Sequence, residues 1–184
     1  IRPPIRPPVL LAKDFFDKER NPNSFSQKLL LKEKIAIQPK LDGIRCIAYY
    51  DTELSQVKLI SRKYKEFVFL NHIRTALFNN IFKHNPTLIL DGEVYFHDLK
   101  IPSVERYQFV SSVAKIYRNE PHPREHIVSY WIFDLIDEKK DFEDRFKSLI
   151  RLFRNISNPT LTLTPTDFKE FEKSEKLITK LNFL

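Results

Sequence analysis

Short apolar or alternating runs along the chain predict six β-strands. They lie at residues 35–39, 44–50, 57–61, 87–96, 127–136 and 160–164. The first two runs are rich in Ile, Ala and Tyr and flank an Asp-Gly pair, and the third continues the pattern, so we expect a small antiparallel sheet. The run 127–136 is apolar almost throughout, which is typical of a central strand buried on both faces.

Apolar positions at helical spacing predict four helices. Asn71 is expected to cap the first, and the second and third span 103–117 and 143–154. Asp167 followed by Glu170 forms a predicted capping box that opens the fourth. The side chains expected to face the core from the second and third helices are Val104, Tyr107, Val110, Val113, Ala114, Phe146, Leu149, Ile150 and Phe153. Because strands and helices interleave without the glycine-rich turn of a Rossmann or P-loop fold, we predict a mixed α+β domain.

Composition and charge narrow the classes of function. The chain has 184 residues, of which 42% are hydrophobic, enough for one domain with a buried core. Its formal net charge of +7 suits a polyanionic partner. The single cysteine, Cys46, excludes a disulfide framework and a thiolate zinc site, so we expect an intracellular, reducing compartment. No apolar run reaches the roughly 20 residues of a membrane span, and the five histidines lack ligand-like spacing, so we assign no structural metal.

The chain has two glycines, Gly43 and Gly92, and each follows an aspartate inside an apolar run. Glycine allows a positive φ or a close approach of the backbone, so these positions mark sites where other residues do not fit. Charged residues surround both: Lys40, Asp42 and Arg45 lie near Gly43, and Asp91 and Glu93 flank Gly92. We therefore predict that the first stretch is the centre of an active site and the second its wall.

A lysine just before a tight turn is suited to act as a nucleophile, because fixed backbone sets the direction of its amine. A lysine amine is almost wholly protonated at pH 7 and cannot attack in that form. We therefore expect burial, or nearby cations such as Arg45, Arg62, Lys63 and Lys65, to favour the uncharged amine of Lys40. The alternative is that the charged residues decorate a solvated hairpin turn.

The segment Lys40-Leu41-Asp42-Gly43-Ile44-Arg45 resembles the K-x-D-G-x-R signature of the covalent nucleotidyltransferases. This superfamily contains ATP-dependent DNA ligases, RNA ligases and mRNA-capping guanylyltransferases. Three further segments resemble later motifs of the superfamily, in the same order and at similar spacing: Ser61-Arg62, Leu90-Asp91-Gly92-Glu93 and Tyr130-Trp131-Ile132-Phe133-Asp134. Four ordered matches make coincidence very improbable.

Three other segments resemble the small, viral type of ATP-dependent DNA ligase. They are Pro7–Ala12, the S-R-x-x-K-x-F pattern at 61–67 and the run Phe142–Leu149, where an arginine begins a helix. The implied fold is an antiparallel-sheet-rich, ATP-grasp-like α+β adenylation domain. Residues 1–34 would be its extended entry segment, and 35–184 a partial adenylation domain that stops before the last family motifs. The resemblance implies an OB-fold domain in the parent chain. Because this chain starts at Ile1 and contains no methionine, we expect it to be a fragment of a longer polypeptide.

The resemblance implies a covalent mechanism centred on Lys40. Its amine would attack the α-phosphate of ATP and release pyrophosphate, leaving AMP on the lysine, while Mg²⁺ offsets phosphate charge. Arg45 and Glu93 would hold the ribose and a nearby phosphate, and Glu93 would also bind the metal, through water. Asp42 and Gly43 would shape the turn and orient the lysine.

The resemblance gives the remaining residues binding and orienting roles. Phe133 would stack on adenine, Gln38 would read the adenine edge and Arg62 would bind the 5′-phosphate of the broken strand. Asp91 and Gly92 would orient their strand. For Phe133 the alternative of simple core packing stays open, because buried strands are rich in such residues.

The function implied is that of a monomeric, ATP-dependent DNA ligase that seals nicks in duplex DNA. It would act in the cytoplasm if viral and otherwise in the nucleus. The alternatives are an mRNA-capping guanylyltransferase, an RNA ligase, or a nucleic-acid-binding domain that has lost its chemistry. Retention of Lys40 argues against the last. Without the final family motifs, the fragment alone is expected to self-adenylate weakly or not at all.

Overall fold

A computed structural model of the protein describes residues 34–115 and 119–170. These residues fall into two compact units. The first contains residues 40–164 of the described part, and the second contains 34–39 and 165–170. The predicted entry segment therefore lies almost wholly outside the described residues, as does the body of the predicted fourth helix.

The strands are β1 (Lys34–Ile37), β2 (Ile44–Asp51), β3 (Gln56–Ser61), β4 (Ile89–Tyr95), β5 (Ser129–Leu135), β6 (Leu161–Leu163) and β7 (Asp167–Glu170). The α-helices are α1 (Asn71–Leu77), which continues as a π-helical turn over Phe78–Phe82, α2 (Ser103–Val113) and α3 (Phe142–Phe153), and a short 3₁₀ turn spans Glu125–Ile127. The first unit holds a sheet of order β3-β2-β4-β5-β6. Its strands pair antiparallel except β5 and β6, which are parallel.

One side of this sheet, the core face, is almost completely buried. Cys46, Ala48, Leu90, Val94 and Ile132 alternate along three neighbouring strands and are all 0% exposed. The helical segment from α1 into its π turn covers this face, since the rings of Phe78 and Phe82 lie 5.5 and 6.4 Å from that of Tyr50 on β2. Apolar burial on this scale drives the packing of helix on sheet.

The opposite side, the site face, carries the charged residues of the two Asp-Gly stretches. Arg45 stands opposite Glu93 in the β2–β4 register, and Glu93 stands opposite Trp131 in the β4–β5 register. The predicted central strand is confirmed in position, because β5 lies between β4 and β6. Its burial on both faces is wrong, since Trp131 and Phe133 remain partly exposed on the site face.

Several helix predictions are wrong in detail because tertiary contacts outweigh local signals. Asn71 is the first residue of α1 and does not cap it: the N-cap is Leu70, with φ 72° and no side-chain cap. Leu70 holds this left-handed conformation because its side chain is buried and its N–H donates to Glu125 Oε2 at 3.3 Å.

In α2 the predicted stripe is only half correct. Val110, Val113 and Ala114 are buried, whereas Val104 and Tyr107 are 66% and 48% exposed. The guanidinium of Arg106 turns inward instead, donating from Nη1 to the carbonyls of Asp98 and Ile101 at 3.2 and 2.7 Å. In α3, Phe146 and Leu149 are buried as predicted, but Ile150 is 42% exposed.

In the second unit, β1 pairs antiparallel with β7, with Ile37 opposite Asp167. The predicted capping box at Asp167 and Glu170 is therefore wrong, because these residues form a strand. The expected pairing of 35–39 with 44–50 is also wrong, because β1 pairs with β7, more than a hundred residues later in the sequence. Local pattern cannot report a partner at such sequence separation.

The sheet needs glycine at position 92 for space rather than for conformation, since neither glycine has a positive φ. A Cβ at Gly92 would lie 2.4 Å from the carbonyl oxygen of Trp131 and 2.8 Å from the Tyr130 ring. The Tyr130 side chain crosses β4 at this point, and its hydroxyl donates to the carbonyl of Cys46 at 2.8 Å.

Among the described residues, no helix is long and apolar enough to cross a membrane.

Gly92→Ala should lower the free energy of unfolding by about 1–3 kcal/mol, because the methyl group meets backbone that cannot move aside. The measurement is chemical denaturation followed by far-UV circular dichroism. Thr52→Ala, in the exposed turn between β2 and β3, is the control and should change stability by less than about 0.5 kcal/mol. Equal stability of Gly92→Ala and the control would contradict the packing argument.

Candidate active site

Two neighbouring strands hold an ion pair at the centre of the site face. Arg45 donates to Asp91 in bidentate fashion, from Nε to Oδ1 at 3.0 Å and from Nη2 to Oδ2 at 2.5 Å. Both side chains are largely buried, with 18% and 6% exposure. Burial alone lowers the pKa of Arg45, but the hydrogen bonds and the charge of Asp91 outweigh it and raise that pKa. Burial raises the pKa of Asp91, and Arg45 opposes that shift. The guanidinium is therefore held charged and in a fixed orientation.

Glu93 lies next to this pair and reaches the backbone of the first Asp-Gly stretch. Its Oε1 accepts a hydrogen bond from the Gly43 N–H at 2.7 Å. A Cβ at Gly43 would lie 2.9 Å from Glu93 Cγ and 2.3 Å from the carbonyl oxygen of Val94, so glycine is required for this contact. Burial raises the pKa of Glu93, while the Gly43 hydrogen bond and the charges of Lys40 and Arg45 oppose the rise. The two Asp-Gly stretches thus meet at one point, as their charges predicted.

Lys40 lies at the exposed edge of this group. Its Nζ is 3.8 Å from Asp42 Oδ1, and its side chain is 91% exposed. Of the two expected ways to favour an uncharged amine, burial or nearby cations, this exposure excludes burial. The residue follows Pro39 in an irregular segment and lies outside the described strands. The prediction that it lies near the second stretch is supported, because its charge acts on Glu93. The solvated-hairpin alternative fails for Arg45, which is buried and ion-paired.

Phe133 contacts the charged cluster from β5. The β4–β5 register shifts between Asp91 and Gly92, and this shift leaves a bulge on β5 at Phe133. The Phe133 ring centroid lies 5.6 Å from Arg45 Cζ, within the range of a cation–π contact. The ring is only partly buried, which is less than simple core packing requires. The bulge thus brings an aromatic ring onto the site face beside Arg45.

A comparison with protein families identifies the family of the chain. The model of the ATP-dependent DNA ligase domain matches residues 21–181, which is most of the chain. The chain belongs to the ATP-dependent DNA ligase domain family. The resemblance of its motifs is confirmed, and so is the α+β fold with its antiparallel sheets. Comparison with curated proteins gives no match.

Solved structures of ligases share this fold. A structure described as Pmar-Lig_PreS3 is 19% identical with a TM-score of 0.64, covering 87% of this chain and 37% of that one. One from a study of Lig E DNA ligases is 20% identical with a TM-score of 0.56, covering 83% and 51%. An archaeal ATP-dependent RNA ligase is 14% identical with a TM-score of 0.55, covering 90% and 38%. At these identities the likeness concerns the fold, and the chain spans about two fifths to one half of those proteins.

The ligase domain contains an ion pair that sequence reasoning missed. Arg106 Nη2 lies 3.8 Å from Asp42 Oδ2, so Asp42 stands between Arg106 and Lys40. The Nε of Arg106 is buried and has no hydrogen-bond partner in the described residues. The only signal in the sequence was a charged residue at a helical position next to the predicted apolar stripe. Asp42 therefore has a second cation beside it, which competes with Lys40 for its charge.

Gln38 and Arg62 are the two remaining predicted site residues. Gln38 belongs to the second unit, where its Nε2 donates to Thr166 Oγ1 at 2.9 Å. Arg62 is exposed in the turn that follows β3. Their roles toward adenine and the 5′-phosphate therefore stay predictions. A cavity of about 590 Å³ lies beside Arg145, but its lining includes none of the predicted site residues.

The site suits a divalent cation whose ligands come mainly from the phosphates of a bound nucleotide. The described residues contain no group of three or more His, Cys, Asp or Glu side chains that could hold a metal ion. Asp91 is engaged by Arg45, which leaves Glu93 and Asp42 as the nearby carboxylates. Mg²⁺ needs few protein ligands when phosphates and water complete its shell. The donors present fit such a cation through a single carboxylate, Glu93.

The raised pKa of Glu93 predicts a pH-dependent stability. The folded domain holds a proton on this carboxyl more tightly than the unfolded chain, whose pKa is near 4.5. The stability contributed by protonated Glu93 is therefore present below that value and lost as pH rises through the folded-state pKa. The unfolding free energy of the natural domain minus that of Glu93→Gln should fall as the pH rises above about 4.5, the unfolded value.

Urea denaturation at several pH values measures this difference. Glu138→Gln, which alters an exposed carboxylate in a loop, is the control and should leave the pH profile unchanged. Parallel profiles for the natural domain and Glu93→Gln would contradict the buried position of this carboxylate.

Proposed function

We propose that this protein is an ATP-dependent polynucleotide ligase that seals nicks in duplex DNA through a lysyl-AMP intermediate. The observation that carries the proposal is the meeting of Lys40, Glu93 and Arg45 around Gly43, with Phe133 beside them. These groups come from three separate motifs. Their arrangement offers an amine, a carboxylate, a fixed guanidinium and an aromatic ring on one face, which suits a nucleoside triphosphate.

In the first step the solvent-exposed amine of Lys40 loses a proton to water and attacks the α-phosphorus of ATP in its uncharged form, and its second proton leaves as the phosphoramidate forms. An N–P bond forms, the bond from the α-phosphorus to the bridging oxygen breaks, and pyrophosphate leaves. Arg45, held by Asp91, faces the ribose and the α-phosphate, and Phe133 stacks on the adenine. Gln38 reads the adenine edge. When bound, Mg²⁺ supplies positive charge that offsets the phosphates.

In the second step the AMP passes from the lysine to the 5′-phosphate of a broken strand, which Arg62 binds. A 3′-hydroxyl then attacks that phosphate, forms the phosphodiester bond and releases AMP.

Asp42, which lies between Lys40 and Arg106, orients the lysine. The net charge of +7 favours the polyanionic substrate. The exposure of Lys40 leaves its amine accessible to both ATP and DNA.

The test of the first step is incubation of the longest natural form of the protein with α-labelled ATP or GTP and Mg²⁺, followed by denaturing electrophoresis. Label from ATP should remain on the protein, and Lys40→Ala should reduce it on the order of 10³-fold or more, because no other group replaces the nucleophile. Lys83→Ala, an exposed lysine outside the cluster, is the control. Label from GTP alone would instead identify a capping guanylyltransferase, and label from neither would identify a binding domain.

The choice between DNA and RNA is tested by sealing. The fold is shared with both DNA and RNA ligases, so an RNA ligase is the second candidate. We expect the full chain to seal a nicked DNA duplex faster than the same nick in RNA, and Arg62→Ala to reduce sealing more than labelling. The reason is that Arg62 would contact the 5′-phosphate and not ATP. Faster sealing of RNA, or an equal loss of labelling and sealing in Arg62→Ala, would overturn these assignments.

A further inference from the structure

Two carboxylates face each other across β4 and β5 at the bulge. Asp91 and Asp134 are partners in the β4–β5 register, and like charges on directly opposite residues repel each other. Asp91 is 4% exposed as a residue, and the Asp134 side chain is 16% exposed, so water screens neither fully. The strands tolerate this pair because each carboxylate has its own arginine.

The arginine of Asp134 comes from α3. Arg145 donates from Nε to Oδ1 and from Nη2 to Oδ2, both at 2.8 Å. Its third nitrogen, Nη1, donates to the carbonyl of Lys140 at 2.7 Å, and its Cζ lies 5.7 Å from the Phe142 ring. With 13% of its side chain exposed, Arg145 is held on several sides. The start of α3 is fixed as well, because Asp141 caps it.

This second pair is connected to the candidate nucleotide contacts through the backbone. Asp134 Oδ1 accepts from the N–H of Leu135 at 2.8 Å, so the carboxylate also fixes its own strand. Phe133 precedes Asp134 in the bulge, and its ring lies beside Arg45. Arg45 in turn is bound to Asp91. A chain of contacts thus runs from Arg145 through Asp134 to both Phe133 and the Arg45–Asp91 pair.

We propose that Arg145 is a positioning residue for ATP binding: by neutralising Asp134 it keeps Arg45 on Asp91 and Phe133 at the bulge. The proposal rests on the proposed function, in which Arg45 and Phe133 contact the nucleotide. Without Arg145, Asp134 becomes an unpaired carboxylate opposite Asp91. It then competes for Arg45, and the strand around Phe133 loses its anchor. Arg145 acts only through Asp134.

The test measures single-turnover formation of lysyl-AMP by the full chain as a function of ATP concentration. Arg145→Gln should raise the KM for ATP about tenfold, equal to about 1.4 kcal/mol, with the rate at saturating ATP within about threefold of the natural protein. The double variant Arg145→Gln with Asp134→Asn should recover most of the affinity, because the orphaned charge is removed. Arg145→Lys keeps the positive charge but loses the two parallel N–H donors of the guanidinium, so its KM for ATP should lie between those of the natural protein and Arg145→Gln.

Two control variants separate positioning from charge and stability. Lys147→Gln removes a cation from the same helix, where it pairs with Glu143 at 2.9 Å on the surface. Arg74→Gln removes a partly buried arginine on α1 that donates to the carbonyl of Val57 at 3.1 Å, so it should lower the melting temperature. Neither should change the KM for ATP. An unchanged KM in Arg145→Gln, or no recovery in the double variant, overturns the proposal.

The fluorescence of Trp131, the only tryptophan, tests the proposal without activity. Trp131 lies two residues before Phe133 on β5, so Arg145→Gln should shift its emission in the nucleotide-free protein, whereas Lys147→Gln should not. If the natural protein forms no lysyl-AMP, the proposed function fails, and this measurement still decides whether Arg145 holds the bulge. Identical spectra for Arg145→Gln and the natural protein overturn that part of the inference.

Discussion

The buried ion pair between Arg45 and Asp91 is the constraint on which the rest of the site depends. A guanidinium and a carboxylate lose hydration when they are buried, and only close bidentate contact compensates for that loss. Because the partners lie on adjacent strands, the contact also requires the β2–β4 register to place them two residues apart on one face. A slip of either strand by one residue would turn its charged side chain to the apolar core face and leave the partner unpaired. The ion pair and the hydrophobic core therefore require the same register.

The two glycines act on this arrangement from either end. Gly92 lets the Tyr130 side chain cross β4 and reach β2, which ties three strands together through one hydroxyl. Gly43 lets the first stretch approach β4 closely enough for Glu93 to accept its N–H. In both places the missing Cβ removes a contact shorter than 3 Å with fixed atoms. Both serve close packing in an otherwise ordinary backbone conformation.

Charge on the site face is balanced locally, although the chain as a whole is basic. Asp91, Asp134 and Asp42 each have an arginine nearby. The positive charges of these arginines offset the three carboxylates, which would otherwise repel a polyanionic ligand. The arginines are thereby oriented by fixed partners, which lowers the entropic cost of holding a ligand group. Lys40 alone among the motif residues of this cluster extends into solvent. Such a division between rigid binding groups and an accessible amine suits the proposed ligase reaction, in which the amine would meet first a nucleotide and then a nucleic acid.

The residues of the site could largely be predicted, because the motif places its charges beside glycines and within apolar strands. The strands at 44–50 and 87–96 and the helix at 143–154 also follow from local periodicity, since burial of an alternating or helical stripe drives their formation. Arg106 and Arg145 are different. Their partners lie 64 and 11 residues away in sequence, at Asp42 and Asp134, and no spacing rule links a helical arginine to such a carboxylate.

The sequence by itself determined the family, the two Asp-Gly stretches and the charged residues around them, because these depend on residue identity over a few positions. Only the tertiary structure decided that Asp167–Glu170 forms a strand, that Leu70 begins a helix in a left-handed conformation, and that Lys40 is exposed. The first two depend on groups distant in sequence, the backbone of β1 and the carboxylate of Glu125, and the third on the 91% exposure that the fold leaves to the Lys40 side chain. Long-range hydrogen bonds and burial outweigh local propensities of a few tenths of a kcal/mol per residue.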